Sequence, residues 1–264
     1  MPIATVNGIE LYYERAGAGP PVLFLNGSGS TLAMVAPILE VMARSLDVVA
    51  HDQRGLGRSA IPPGPYTMAQ YAADALGLVD LMGWPTCRVV GVSFGGMVAQ
   101  ELAVTAPPRV ERLALLCTSP GGDGGSSYPL HALAGMDPSR RAEIALSLLD
   151  SRFSPEWLAS HPADRALVDA MAQRGSGAGS EEARRGAAEQ LEARRHHDVW
   201  GRLGQITCPT FVGAGRFDGI APLSNSEAMV SRIAGASLHV YEGGHAFFVQ
   251  DRRAIPEVVE FLGA

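Results

Sequence analysis

The stretch of sequence that decides the fold reads Arg88-Val89-Val90-Gly91-Val92-Ser93-Phe94-Gly95-Gly96-Met97-Val98-Ala99. It begins as a short apolar run typical of a buried strand and continues as the start of a helix. Between them, Ser93 has one glycine two places before it and another two places after it, which is the G-x-S-x-G spacing. Gly91 and Gly95 leave room for a sharp bend, so the pattern predicts a serine on a tight strand-to-helix turn. An ordinary glycine-rich turn is the alternative interpretation, because the pattern is short.

A serine on such a turn is lifted above the edge of the sheet, beside the first turn of the next helix. Backbone N–H groups and the positive end of the helix dipole then face any negative charge that develops at the reacting atom. Ser93 is therefore the candidate nucleophile.

Length and composition limit the classes of protein to which the chain can belong. It has 264 residues, of which 47% are hydrophobic, enough for one large α/β domain with an insertion. The formal net charge of -6 does not suit nucleic acid or an anionic membrane surface as a partner. We therefore expect a globular protein whose partner is neither nucleic acid nor a membrane, and the oligomeric state stays open.

The cysteines and the first residues of the chain indicate the cellular compartment of the protein. Cys87, Cys117 and Cys208 lie far apart beside apolar runs and form no C-x-x-C motif, so we expect buried, reduced thiols. No apolar stretch has the length of a signal peptide or a membrane span. The expected location is the cytoplasm.

Strand and helix signals alternate on both sides of Ser93, which indicates a mostly parallel sheet with helices on both faces. The strand signals lie at 3–15 (a hairpin around Asn7-Gly8), 22–25, 48–50, 88–92, 113–117, 209–215 and 237–241. Besides the helix after Ser93, the helical patterns of this core lie at about 31–44, 68–82 and 255–262.

The alternation stops between the sixth strand and the seventh. Helical patterns at 138–150, 155–173 and 181–200 follow one another there without a strand between them. This arrangement predicts a helical cap at 120–205, inserted into a core domain formed by 1–119 and 206–264. The glycine-rich residues 175–179 are predicted to be a hinge within the cap.

Two further candidates for catalysis lie just beyond strand signals. Asp218 follows the seventh strand and His245 follows the eighth, so the chain order is Ser, Asp, His. A serine nucleophile needs a base to take its proton, and the base needs a carboxylate to hold its tautomer. Two alternatives remain: His245 as an exposed loop residue, and Asp123, which follows the sixth strand, as the acid.

A loop of small residues, Asn26-Gly27-Ser28-Gly29-Ser30, follows the third strand. Its backbone N–H groups are free to point in many directions, so it can form half of an oxyanion hole. A solvated connection is the alternative.

At this point the chain resembles an α/β-hydrolase-fold serine hydrolase from about Asn7 to Leu262, and it is similar in particular to the small esterase and 3-oxoadipate enol-lactonase-like group. The motifs that carry the resemblance are Gly91-Val92-Ser93-Phe94-Gly95, Gly55-Leu56-Gly57-Arg58-Ser59, Asp218 with its glycines, and Gly244-His245.

The resemblance implies a role for each site residue. Ser93 is implied as nucleophile, His245 as general base and acid, and Asp218 as the acid that orients His245. The backbone N–H groups of Phe94 and Ser28 are implied as the oxyanion hole. Most members of the group have His-Gly where this chain has Asn26-Gly27, which places the oxyanion loop in question.

The resulting hypothesis is hydrolysis of a small ester or lactone through an acyl-enzyme, with no metal and no organic cofactor. C–C bond hydrolysis, perhydrolysis, lyase or tailoring chemistry of secondary metabolism, and a binding protein without turnover are the alternatives. The candidates for the substrate pocket are Met136, Trp157, Phe217 and Phe248, with Trp200 beside them, although such residues also occur in cores. The adjacent His196 and His197 cannot face the same way on a helix, which argues against a metal site.

Overall fold

The computed structural model describes residues 2–133, 135–175 and 180–264. Its strands are β1 (Ile3–Val6), β2 (Ile9–Ala16), β3 (Pro21–Leu25), β4 (Asp47–His51), β5 (Cys87–Val92), β6 (Val110–Leu116), β7 (Thr210–Gly215) and β8 (Ala236–Tyr241). Its helices are α1 (Leu32–Met42), α2 (Met68–Leu81), α3 (Phe94–Thr105), α4 (Pro138–Leu149), α5 (Pro155–Ser160), α6 (Pro162–Gly175), α7 (Glu181–Arg195), α8 (Leu223–Arg232), α9 (Phe247–Gln250) and α10 (Ala254–Gly263).

The described strands form an eight-stranded sheet in the order β1-β2-β4-β3-β5-β6-β7-β8. Strand β2 runs antiparallel to β1 and β4, and every other neighbouring pair is parallel. The α/β fold with a mostly parallel sheet is therefore confirmed, and the run of helices from α4 to α7 follows the sixth strand as expected.

Helices cover both faces of the sheet because its central strands are apolar on both faces. In β3, Leu23 and Leu25 belong to the core cluster packed under α2 and α3, while Val22 and Phe24 belong to the cluster on the opposite face. Successive side chains of a strand point to opposite faces, so a continuous apolar run supplies both cores.

The turn between β5 and α3 has the geometry that its glycines predict. Ser93 has φ 55°, which is unusual for a residue with a side chain, and α3 starts at the next residue. A Cβ on Gly91 would lie 2.3 Å from the carbonyl oxygen of Gly95. A Cβ on Gly95 would lie 2.1 Å from the carbonyl oxygen of Leu25 in β3. Glycine is required at both positions for the turn to pack against the sheet.

The cap helices differ from the prediction in two places. The pattern at 155–173 is two helices, α5 and α6, because Pro162 disfavours helical backbone at His161, which has φ -125° and ψ 82°. The helix predicted at 181–200 ends at Arg195 in the structure, and a separate 3-10 turn runs from Trp200 to Gln205. Of the hinge predicted at 175–179, residues 176–179 lie outside the described residues. No helix among the described residues has the length and apolar character needed to cross a membrane.

Candidate active site

Three polar side chains meet at the carboxyl edge of the sheet: Ser93 after β5, Asp218 after β7 and His245 after β8. The Oγ of Ser93 lies 2.9 Å from Nε2 of His245. The Nδ1 of the same ring lies 2.8 Å from Oδ2 and 3.0 Å from Oδ1 of Asp218. The structure thus brings the three residues singled out in the sequence into one continuous hydrogen-bonded chain.

The carboxylate of Asp218 is held in place by backbone donors. Its Oδ1 accepts hydrogen bonds of 2.8 Å from the N–H groups of Ile220 and Ala221, and the residue is 7% exposed. Asp123, the alternative acid, is exposed in a short 3-10 turn after β6, and its carboxylate makes no hydrogen bond to His245 within the described chain. The geometry therefore favours Asp218 as the partner of His245.

The main chain at His245 is attached to the cap. Its N–H donates a 2.6 Å hydrogen bond to the carbonyl of Leu149, the last residue of α4. A Cβ on Gly244 would lie 2.0 Å from the same carbonyl oxygen, so only glycine permits this approach. This contact fixes His245 relative to the cap.

Phe94 and Ser28, whose backbone N–H groups the resemblance implies as the oxyanion hole, both lie near Ser93. Phe94 is the first residue of α3, so its N–H has no partner within the helix. Ser28 lies in the loop after β3 and lines the same cavity as Ser93. A Cβ on Gly27 in this loop would lie 3.6 Å from Cβ of Ser93, which shows how closely the loop approaches the serine.

The loop that carries Ser28 is anchored by buried amides. Asn26 is fully buried, its Nδ2 donates to the carbonyl of His51 at 3.4 Å, and its own carbonyl accepts a 2.7 Å bond from Nε2 of Gln53. The N–H of Gly29 donates a 2.8 Å bond to Oε1 of Gln190 on α7. The side-chain amide of Asn26 thus anchors the loop, and Gln190 supports the loop from the cap. No local motif in the sequence singles out Gln190.

The triad candidates open into a cavity of about 800 Å³ between the core and the cap. Its polar lining residues are Ser28, Ser30, Ser93, Arg141 and His245, and the rest of its wall is aliphatic or aromatic apart from glycine. This volume is suited to a small ligand with an apolar body.

Of the four residues expected in the substrate pocket, Phe248 lines this cavity and the other three do not. Trp157 stacks on His161 and donates a 2.8 Å hydrogen bond to Asp164 within the cap. The guanidinium carbon of Arg152 lies over the ring of Phe217, 4.0 Å from the ring centre. Met136 lies just before α4, half-buried and outside the cavity wall. The placement of Met136, Trp157 and Phe217 in the pocket is therefore corrected. Aliphatic residues such as Val35, Leu146 and Val168 form the wall instead.

The two adjacent histidines of the cap have different surroundings. His196 is exposed and bonds to Glu192 at 2.8 Å, whereas His197 is buried. The described residues contain no group of three or more His, Cys, Asp or Glu side chains arranged to hold a metal ion.

The sheet order, the sharp turn at Ser93 and the Ser-His-Asp contacts define the class of α/β hydrolases. Residues 20–251 match the family model described as alpha/beta hydrolase fold, and the chain belongs to this family. It is an enzyme of the hydrolase class.

Known relatives cover nearly the whole chain. It is 32% identical to the putative carbamate hydrolase RutD of Variovorax paradoxus, over 92% of both chains. It is 31% identical to the poly(3-hydroxyalkanoate) depolymerase of Ectopseudomonas oleovorans, over 92% of this chain and 84% of that one. The solved structure of the enol-lactonase from Burkholderia xenovorans superposes with a TM-score of 0.81 at 27% identity, over 100% of both chains. The similarity to enol-lactonases expected from the sequence is confirmed.

Proposed function

We propose that the protein is a serine hydrolase that cleaves a small carboxylic ester or lactone through an acyl-enzyme intermediate. The observation that carries the proposal is the hydrogen-bonded chain from Ser93 through His245 to Asp218 at the floor of an apolar cavity. A serine hydroxyl is a weak nucleophile unless a base removes its proton as it attacks.

In the first half of the reaction, Ser93 Oγ attacks the carbonyl carbon of the substrate and its proton passes to Nε2 of His245. The carbonyl oxygen gains the negative charge and accepts hydrogen bonds from the N–H groups of Phe94 and Ser28. The bond from carbon to the leaving oxygen then breaks, and Nε2 of His245 returns the proton to that oxygen. Asp218 accepts from Nδ1 throughout and stabilises the imidazolium.

In the second half, water attacks the acyl carbon and gives a proton to His245. The bond to Ser93 Oγ breaks, the carboxylic acid leaves, and the proton returns to Ser93. Every proton in this cycle passes through Nε2 of His245, which lies 2.9 Å from Ser93 Oγ, and no step uses a metal or an organic cofactor.

The cavity wall supports an apolar substrate body. None of the described residues that line the cavity is acidic, and its aliphatic residues come from both the core and the cap. The activities named for two relatives, cleavage of poly(3-hydroxyalkanoate) and of an enol-lactone, are both directed at ester bonds and support the same bond type here.

The test is hydrolysis of a series of nitrophenyl esters, from acetate to decanoate, by the wild type, Ser93→Ala and the exposed control Ser231→Ala. We expect turnover by the wild type and the control and its loss in Ser93→Ala. Equal turnover by all three proteins would contradict the proposal. Ligand stabilisation without turnover of any ester or lactone would indicate a binding protein instead.

A further inference from the structure

A second cavity lies between the cap and the core and shares no lining residue with the catalytic cavity. Its volume is about 90 Å³, which corresponds to about three water molecules at ~30 Å³ each. Ser119, Arg194 and His197 are buried in its wall, whereas Ser126 and Arg195 are exposed at its rim. The pocket is therefore small, polar and open to solvent on one side.

Arg194 is the unusual member of this wall. It is 5% exposed, and its Nη1 donates a 2.8 Å hydrogen bond to the carbonyl of Tyr128. Its Nε and Nη2 are buried and have no hydrogen-bond partner among the described residues. A buried charge without a partner is costly, so a site of this kind favours an anion.

The acidic residue whose charge acts on Arg194 is already engaged. Asp218 acts on Arg194 through its charge, but its oxygens accept hydrogen bonds from His245, Ile220 and Ala221. Burial lowers the pKa of the Arg194 guanidinium to about 10, so it remains charged at neutral pH. The positive charge of Arg194 is therefore left for a ligand.

The two unpartnered nitrogens of Arg194 point to the kind of anion. Nε–H and Nη2–H lie side by side on one edge of the guanidinium, and that spacing matches the two oxygens of a carboxylate. This chain uses the same edge elsewhere: Arg54 holds Asp74 with bonds of 2.6 and 2.7 Å, and Arg152 holds Asp150 with bonds of 2.9 and 2.6 Å. Arg15 and Arg253 bind Asp47 and Asp251 in the same way.

We propose that this pocket is a binding site for a small carboxylate, held side-on by Nε and Nη2 of Arg194. The Ser119 hydroxyl, which already accepts a bond from Asn225, is left with its own proton to donate. Burial lowers the pKa of His197 to about 4, so its ring is neutral and adds no second positive charge to the pocket. The volume of about 90 Å³ is large enough for a carboxylate group.

The carboxylate has two possible sources. One is a free small acid that enters from solvent at the exposed rim. The other is a carboxylate arm of the substrate, because neighbouring residues of one segment line both cavities: Pro129 and His131 line the pocket, and Leu130 and Leu133 line the catalytic cavity. The second source rests on the proposed function, and the first does not.

The test of binding uses sodium formate as the probe and does not depend on turnover. Carbon-13 formate is titrated into Ser93→Ala, into Arg194→Gln and into the control Arg140→Gln, with sodium chloride keeping the ionic strength constant. Arg140 is exposed and pairs with Glu143, so the control loses the same charge at the surface of the cap. We expect formate to bind and raise the melting temperature in Ser93→Ala and Arg140→Gln, and to bind roughly tenfold or more weakly in Arg194→Gln.

A second variant keeps the test decisive if Arg194→Gln does not fold. Arg194→Lys retains the charge and most of the side chain but lacks the two-nitrogen edge, and it is expected to lose most of the formate affinity as well. Equal formate response in the control Arg140→Gln and in a folded Arg194 variant, or no response in any protein, would overturn the proposal.

Kinetics of the wild type then separate the two sources. If the carboxylate belongs to the substrate, formate raises KM for an ester that also carries a carboxylate. It leaves KM unchanged for the same ester with an uncharged carboxamide in place of that carboxylate. If it is a free acid, formate binds without raising KM for either ester. Formate binding to a protein that hydrolyses no ester would refute the proposed function and leave the site in place.

Discussion

Gln190 of the cap accepts a 2.8 Å hydrogen bond from the backbone N–H of Gly29, the residue that follows Ser28 in the loop after β3. Gln190 is fully buried on α7, so this bond joins the interior of the cap to the proposed oxyanion loop. The bond from His245 N–H to the Leu149 carbonyl is a second link between the cap and the site. The cap is therefore hydrogen-bonded both to the loop of Ser28 and to the main chain of His245.

Replacing Gln190 by methionine removes the acceptor for Gly29 N–H while keeping the length of the side chain. The loss of one positioning hydrogen bond, about 1 kcal/mol, is expected to lower kcat roughly fivefold with little change in KM. Steady-state kinetics on a nitrophenyl ester measure this effect, with Glu192→Gln on the same helix, whose side chain is 45% exposed, as control. An unchanged kcat in a folded Gln190→Met protein would show that the loop does not depend on the cap.

The acid of the triad is tested by Asp218→Asn. An asparagine cannot stabilise the imidazolium and favours the wrong tautomer of His245, so kcat is expected to fall by about 10³- to 10⁴-fold. The matched variant is Asp123→Asn, which changes the alternative acid at an exposed position. Loss of activity in Asp123→Asn and its retention in Asp218→Asn would reverse the assignment.

Two buried histidines make stability depend on pH. Burial lowers the pKa of both His51 and His197 from 6.5 to about 4. The unfolded chain therefore binds more protons between these values. The stabilising contribution of each ring is fully present above pH 6.5 and is lost as the pH falls towards 4.

The expected slope in this window is at most about 1.4 kcal/mol per pH unit for each histidine. Urea unfolding between pH 7 and pH 5 measures it. We expect His197→Gln to reduce the slope and His196→Gln, at the exposed neighbouring position, to leave it nearly unchanged. Equal slopes for the wild type and His197→Gln would mean that His197 is not buried in neutral form.

The apolar wall of the catalytic cavity is tested by Val35→Phe on α1. The larger side chain takes up space that the body of a long ester would occupy, so kcat/KM for a long-chain ester is expected to fall roughly tenfold. Activity on the acetate ester is expected to change little. Ala33→Phe, on an exposed position of the same helix, is the control. Equal losses for short and long esters would contradict this placement of the substrate.

Much of the fold could be predicted from the sequence because local signals decide it. The apolar runs of β3 and β5 indicate strands buried on both faces. The glycines around Ser93 are required because the turn between β5 and α3 packs closely against the sheet. Proline rules also explain the break between α5 and α6, since Pro162 marks the start of a new helix.

The pocket could not be predicted in the same way because its wall is made by tertiary packing. Trp157 has the size and polarity of a ligand-binding residue, but in the structure its ring stacks on His161 and its N–H bonds to Asp164. Arg54 lies two residues from Asp52 in the sequence, yet it pairs with Asp74 on α2. Gln190 reaches Gly29 across 161 positions of the chain, and no local pattern records such a contact.

The most direct test of the account is the mass of the protein during turnover of a slowly hydrolysed aryl ester. Wild-type protein is quenched with acid in the steady state, its intact mass is measured, and the modified peptide is sequenced. The account predicts a gain equal to one acyl group, located on Ser93 and absent from Ser93→Ala. Continued ester hydrolysis by Ser93→Ala, or an acyl group carried on any other residue during turnover, would contradict it.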